Sequence, residues 1–345
     1  MAKLDLEQSS GTSEVNDKSA QVKPSRIQRW KAHMQKWWWL YLICFCAIVL
    51  VVVLPIIYVG VPRIASQYIN DYKYDYTGLQ ITNPRPSAFH VSQTQKLKMG
   101  GGFSGSGHLS AFNATITVPG TSTPMAIFPV SQIDFSDGAD FSISQDLDLL
   151  CVDCLSQLAA AAASDKEYAV LVTGDPDLKF GALPTAHLDI HKTMKMQGYN
   201  VQEFLNSDGA FNVTSLDLLS PTTPEGYNVN ATVAFHNPTP FSVEMGFVSL
   251  NLSVGDTSLG YVDLPNLTIE GDIVNTVVLG SIDETLLIKK GLWESSNTDF
   301  GKVNIDIHGN RCEYGGQEIP YFTAAIRAIN ASAKIDLMDY VGDIL

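Results

Sequence analysis

The sequence predicts a mainly β protein: a single N-terminal transmembrane helix followed by two tandem β-sandwich domains, each with a short helix. Three observations carry this prediction. Residues 37–61 contain no charged side chain. Beyond Leu79, short runs of apolar residues alternate with polar ones and are punctuated by Gly, Pro, Asn and Asp, which is the strand period. Landmarks of the first half then recur in the second at a near-constant offset, the mark of an internal repeat.

The chain begins with a polar segment. Residues 1 to about 25 are rich in Ser, Gln, Lys and Asp and carry few large apolar side chains, so disorder is expected. Residues 26–36 are basic with Trp30 interspersed, and the whole of 1–36 reads as a disordered basic cytosolic tail. The apolar stretch follows. Its 25 residues make a helix of roughly 37 Å, enough to cross a hydrocarbon core of about 30 Å with some tilt. A buried core helix would show a polar stripe, which is absent. A cleaved signal peptide has an apolar region of roughly 7–15 residues near the N-terminus, shorter than this one. Trp37, Trp38, Trp39 and Tyr41 suit one membrane interface and Tyr58 the other. Pro55 is a place for a kink, and Cys44 and Cys46 read as packing residues within the span.

Charge orients the span. Lys23, Arg26, Arg29, Lys31 and Lys36 precede it with no acid among them, whereas Arg63 and Lys73 after it are offset by Asp71 and Asp75. The positive-inside bias places the N-terminus in the cytosol and the C-terminal part in the lumen or outside the cell. The chain therefore reads as a signal-anchored, single-pass type II protein that meets the lipid bilayer through 37–61, with 62–71 as a juxtamembrane stalk. The net charge is −14, and the tail through Lys36 carries seven Lys/Arg against four Asp/Glu, so the remainder stands at −17. An acidic outer part argues against nucleic acid and against adsorption to anionic lipid. Six N-glycosylation sequons follow the span, at Asn113, Asn212, Asn230, Asn251, Asn266 and Asn330. Each is a weak three-residue match; together they agree with the orientation drawn from charge.

The clearest strand is 229–235, with Val229, Ala231, Val233 and Phe235 on one face. Residues 248–254, 303–307, 112–118 and 169–173 alternate in the same way. Two stretches break the pattern: 147–163 ends in an alanine run and reads as a short helix, and 281–292 offers Asp283 as an N-cap. The repeat is visible in single residues. Thr121, Ser122, Pro129 and Ile133 recur as Thr257, Ser258, Pro265 and Ile269, an offset of 136. Leu79, Ile81 and Pro84 are echoed by Leu216, Leu218 and Pro221, and Gly174, Gly181 and Pro184 by Gly309, Gly316 and Pro320. The expected units are 72–205 and 206–345.

No motif assembles a catalytic, cofactor or metal site. Cys151-Val-Asp-Cys154 is a CxxC, but it opens a helix after a β run instead of sitting in a thioredoxin-like βαβ context. With Cys312, the remaining cysteine beyond the span, it leaves a structural disulfide between two of the three, or buried free thiols. Zinc would need a fourth ligand and a paired motif. Gly100-Gly-Gly102-Phe-Ser-Gly105 formally matches GxGxxG, yet a strand-like run follows where a nucleotide cradle needs a helix. His187 and His191 read as strand residues about 13 Å apart, too far to share one ion. Asp134, Asp137 and Asp140 lack calcium-loop spacing.

The second unit carries a recognisable pattern: Phe235-His-Asn237-Pro238-Thr-Pro-Phe, then Gly246, Val248, Leu250 and Leu252, then Leu259-Gly260, then Leu264-Pro265-Asn-Leu. It resembles the late-embryogenesis-abundant type 2 sandwich, or water-stress and hypersensitive-response domain. The arrangement with an N-terminal span and tandem acidic units resembles a fungal membrane-protein family known as domain of unknown function 3712. The likeness covers most of 72–345 and is strongest over 225–282; the first unit has a glycine-rich run at 98–107 in place of the Asn-Pro turn. The resemblance implies a β-sandwich on a membrane stalk, with lipid or protein contacts and a lean toward the vacuolar membrane, and it supplies no catalytic residues; the long span also suits a thicker membrane, so the plasma membrane or another endomembrane is the alternative. The expectation is a non-enzymatic, membrane-tethered protein that binds lipid or a protein partner. The alternatives are a luminal thiol oxidoreductase using Cys151 and Cys154, or a glycosylated structural wall protein.

Overall fold

A computed structural model describes residues 26–60, 63–64, 66–67, 70, 78–97, 106–136, 139–205, 211–237, 239, 241–293 and 301–336. The chain divides into two units, Met1–Ile56 and Ile57–Leu345. In the first, helix α1 (Arg26–Pro55) has a non-helical residue at Trp37, so the basic segment and the apolar segment are two helical pieces joined at the break. A π-helical turn, Ile56–Gly60, follows Pro55 at once. Proline lacks the N–H that the ladder needs, and a wider turn is one way to re-satisfy the freed carbonyls. Trp37–Gly60 is long and apolar enough to cross a membrane, and no residue of its most apolar 18-residue window is buried in the protein.

The second unit is mainly β. Its first half contains β1 (Gln80–Arg85), β2 (Ala88–Leu97), β3 (Ser106–Leu109), β4 (Phe112–Thr117), β5 (Pro124–Val130), β6 (Ile133–Ser136) and β7 (Ala139–Asp148). Helix α2 (Val152–Ser164) follows, then β8 (Glu167–Gly174), β9 (Asp177–Phe180), β10 (Ala186–His187), β11 (Ile190–Gln197) and α3 (Val201–Leu205). The second half contains β12 (Phe211–Leu218), β13 (Val229–His236), β14 (Ser242–Val254), β15 (Thr257–Ile269) and β16 (Ile273–Ile282). It ends with α4 (Glu284–Ile288), β17 (Lys302–Tyr314), β18 (Gln317–Glu318), α5 (Pro320–Arg327) and β19 (Asn330–Asp336). Each half thus has a second helix, α3 or α5, beyond the one expected from sequence. The alanine-run helix starts at Val152, later than expected, because residues up to Asp148 belong to β7. Asp283 caps α4 as expected, its side chain accepting from the Leu286 N–H at 3.0 Å.

The strand pairings of the two halves follow similar orders. In the first half β1 pairs β2, β2 pairs β7, β4 pairs β5 and β8, and β8 pairs β11. In the second half β12 pairs β13, β13 pairs β16, β14 pairs β15 and β17, and β17 pairs β19. The register is nearly kept: Thr115 faces Thr173, and 136 residues on Asn251 faces His308. Strands β3, β6, β9 and β10 form a small sheet of their own.

The two halves share a sheet and a core. The first residues of β1 pair in parallel with β14, Gln80 with Ser242 and Ile81 with Val243. Next to this seam the Glu244 carboxylate accepts from the Asn83 N–H at 2.9 Å and from the Tyr314 hydroxyl at 2.8 Å. One core cluster joins Phe89, Ala126, Leu147 and Leu149 of the first half to Ile319 and Tyr321 of the second, and α2 packs on α5. A second cluster lies within the later half around Val248, Leu264, Leu267, Val274 and Cys312. The segment after the span is also tied in. Lys192, buried on β11, donates to the Asn70 carbonyl at 2.6 Å, and Asn70 Oδ1 accepts from the His191 N–H at 3.3 Å.

Candidate functional site

Strands β2 and β7 present a polar face. Phe89, Val91 and Leu147 point into the shared core, so strand alternation sends His90, Ser92 and Thr94 of β2, and Ser142, Ser144 and Asp146 of β7, to the other side. The ladders align them in rows. Thr82, His90 and Asp146 stand in one, Gln80, Ser92 and Ser144 in the next, and Thr94 and Ser142 in a third. Side chains bond along and between the rows: Ser92 Oγ donates to Gln80 Oε1 at 3.2 Å, and the Thr94 and Ser142 hydroxyls meet at 3.3 Å.

His90 is the centre of this face. Its Nδ1 lies 2.8 Å from Asp146 Oδ1 and its Nε2 lies 3.2 Å from Ser144 Oγ. Arg85 Nη2, from the turn end of β1, donates to the other Asp146 oxygen at 2.7 Å. The hydrogen bond from His90, followed by that from Arg85, holds the Asp146 carboxyl below its usual range. Asp146 is therefore ionised at neutral pH and only accepts. Sequence reading missed this cluster because 54 and 56 residues separate His90 from Ser144 and Asp146. The available signal was polar alternation in two strands, 90–94 and 142–146, but nothing local says that those strands pair.

The cysteines are resolved by position. Cys151 and Cys154 form a disulfide, and Cys151 is also the N-cap residue of α2, its sulfur accepting from the Cys154 N–H at 3.1 Å. Both are half-buried. Cys312 is a free thiol, fully buried in the core of the later half, with Sγ donating to the Met245 carbonyl at 3.3 Å. Burial pushes that thiol up to about 12, so it is neither a nucleophile nor a ligand at ordinary pH.

The other sequence candidates stay apart. His187 lies on β10 and His191 on β11, and His187 Nδ1 bonds Asp177 Oδ1 at 3.0 Å. Asp134 and Asp140 fall on β6 and β7, whereas Asp137 and the glycine run at 100–105 lie outside the described residues. Among the described residues no group of three or more His, Cys, Asp or Glu could hold a metal ion. One buried carboxylate draws notice. Asp263, on β15, accepts from the Tyr227 hydroxyl at 2.7 Å, and its second oxygen has no partner among the described residues. The sequon residues Asn113, Asn212, Asn251, Asn266 and Asn330 are exposed, and Asn230 is half-buried.

The sequence model of a family described as "Protein of unknown function (DUF3712)" matches residues 123–252. The match runs from β5 through β14, beginning well ahead of the stretch on which the sequence resemblance is strongest. No curated protein matches the chain. Among solved structures, a bacterial adhesin from Mobiluncus mulieris with intramolecular disulfide, isopeptide and ester-bond cross-links is similar at 8% identity, over 78% of this chain and 87% of that one. Its TM-score of 0.16 is too low for any argument about fold or function.

Proposed function

We propose that this chain is a single-pass membrane protein whose β unit lies outside the cytosol, bears N-glycans and engages a lipid or protein partner there. One pairing of observations carries the reading. The helix Trp37–Gly60 is long and apolar enough to cross a membrane, and the sequon asparagines beyond it stand on strands, five of the six exposed. In this reading each repeat is a β-sandwich unit of the late-embryogenesis-abundant type 2 kind, the relatives are fungal, and the vacuolar membrane is the destination. The resemblance noted in the sequence supports those finer points.

The test is topological. A C-terminally tagged chain in sealed microsomes should resist added protease and should lose apparent mass on endoglycosidase treatment. A cytosol-accessible C-terminus, or no glycan shift, would refute the orientation. Copurification in mild detergent, with mass spectrometry of retained lipids and proteins, tests the partner; a chain that retains neither rules out the binding role.

A specific observation favours a second reading, thiol exchange. The Cys151–Cys154 bridge is half-buried at the first turn of a helix, where aligned backbone N–H groups stabilise a thiolate. Replacing both cysteines by serine with no change in cellular function removes it.

A further inference from the structure

We propose that Ser144, His90 and Asp146 form an ester-hydrolysing site on the open face of the β2–β7 pair. The proton positions follow from the geometry. An ionised Asp146 only accepts, so His90 Nδ1 must donate to it across 2.8 Å. In the tautomer with the proton on Nδ1, Nε2 keeps its lone pair and Ser144 Oγ, 3.2 Å away, donates to it. A hydroxyl bonded to a general base, which is itself oriented by a carboxylate, is the arrangement that activates a serine nucleophile. The frame is rigid. His90 faces Asp146 directly in the ladder, and Arg85 fixes the second carboxylate oxygen at 2.7 Å.

The step balances without a cofactor. Ser144 Oγ bonds to the ester carbonyl carbon as its proton passes to His90 Nε2. The tetrahedral adduct collapses, the bond to the leaving alcohol oxygen breaks, and His90 returns the proton to that oxygen. Water then attacks the acyl-serine by the same route in reverse, so ester and water give acid and alcohol. Gln80 and Ser92 stand in the row of Ser144 and are bonded to each other, Ser92 Oγ donating to Gln80 Oε1. Ser144 and His90 are the catalytic residues; Asp146 and Arg85 are positioning residues.

The face also points to a substrate class. The side chains of His90 and Asp146 are 31% and 53% exposed, so the site stands open to a polymer instead of enclosing an acyl chain. The neighbouring Gln80, Ser92, Thr94 and Ser142 are hydrogen-bonding groups suited to sugar-like hydroxyls. The substrate is a short-chain acyl ester carried on a polyhydroxylated chain. This goes beyond the binding role and is independent of the membrane orientation, because the chemistry is assayed on isolated protein.

The experiment uses the full chain in detergent micelles with p-nitrophenyl acetate, a fluorophosphonate label and an acetylated xylan. Expected results are nitrophenolate release, label on Ser144 by peptide mass spectrometry, and acetate released from the polymer. Ser144→Ala should abolish labelling and lower the rate about 100-fold or more, and His90→Gln should do the same to the rate. Asp146→Asn should lower kcat with KM retained. Ser144 is exposed, so an unchanged thermal midpoint and near-UV circular dichroism will confirm that its variant folds. A rate or label that survives Ser144→Ala overturns the site. Cleavage of the small ester without release of acetate from the polymer overturns the substrate class.

Discussion

Tyr321 of the second half bonds the first half through its hydroxyl. Its ring is 2% exposed against Phe89 and Phe322, and its proton is shared between the carbonyls of Arg85 and Ala88, both at 3.1 Å. Tyr321→Phe keeps the packing but takes the donor from those carbonyls. The expected cost is about 1–3 kcal/mol, read as a lower denaturant midpoint, and an unchanged midpoint would show that the bond is immaterial. Gly309 is constrained in a different way. A Cβ there would lie 1.7 Å from the Ile326 carbonyl oxygen at the end of α5, and the neighbour is backbone, which cannot turn aside. Gly309→Ala should cost about 3 kcal/mol or more and loosen α5, which hydrogen exchange in 320–327 will report. His187 supplies a pH-dependent term. Its hydrogen bond to Asp177, aided by the charges of Asp175 and Asp189, raises its affinity for a proton in the folded state. A raised value means stability fully present below the unfolded value of about 6.5 and lost as pH rises through the folded value. The group is exposed, so the effect on overall stability is small. Its measurement is an NMR titration of the ring, in which Asp177→Asn should lower the midpoint.

At the scale of elements, α2 begins on a bridge. Closing the short loop between Cys151 and Cys154 removes about 2 kcal/mol of chain entropy from the unfolded state, and reduction also frees the residue that caps the helix. Reducing the bridge, or Cys151→Ser with Cys154→Ser, should therefore lower stability by about 2 kcal/mol and raise hydrogen exchange first in 152–164. Exchange unchanged there would mean that packing of α2 on α5 alone fixes the helix. The elements themselves were largely legible. Strand alternation around Val229, Val248, Val303, Phe112 and Val170 marked β13, β14, β17, β4 and β8, because apolar and β-branched residues recur there with the strand period. Asp283 marked the start of α4 because its short carboxylate satisfies an otherwise unpaired N–H. Helices α3 and α5 were not legible. The first has five residues, and the second opens with Pro320 and carries Tyr321, Phe322 and Thr323, which are poor helix formers held by burial instead of propensity.

On the scale of the whole molecule, the strand-rich character of the chain was readable and the joining of its two halves was not. The parallel contact of Gln80 and Ile81 with Ser242 and Val243 joins residues 162 apart, and no local composition specifies it. The His90 cluster was hidden for the same reason, since its members meet only once β2 pairs β7. The shared core has a consequence for folding. Leu147, 5% exposed, packs in the cluster that contains Ile319 and Tyr321 of the other half. Leu147→Ala should cost about 2–5 kcal/mol. If the core couples the halves, that loss must appear in both. Slow-exchanging amides of β14 and β17 should accelerate by the same factor as those of β2 and β8, and chemical unfolding of the full chain in detergent should remain a single transition. Acceleration confined to 80–197 would mean that the repeats unfold separately. In that case the β1–β14 seam would be only a contact between two domains, each folded on its own core.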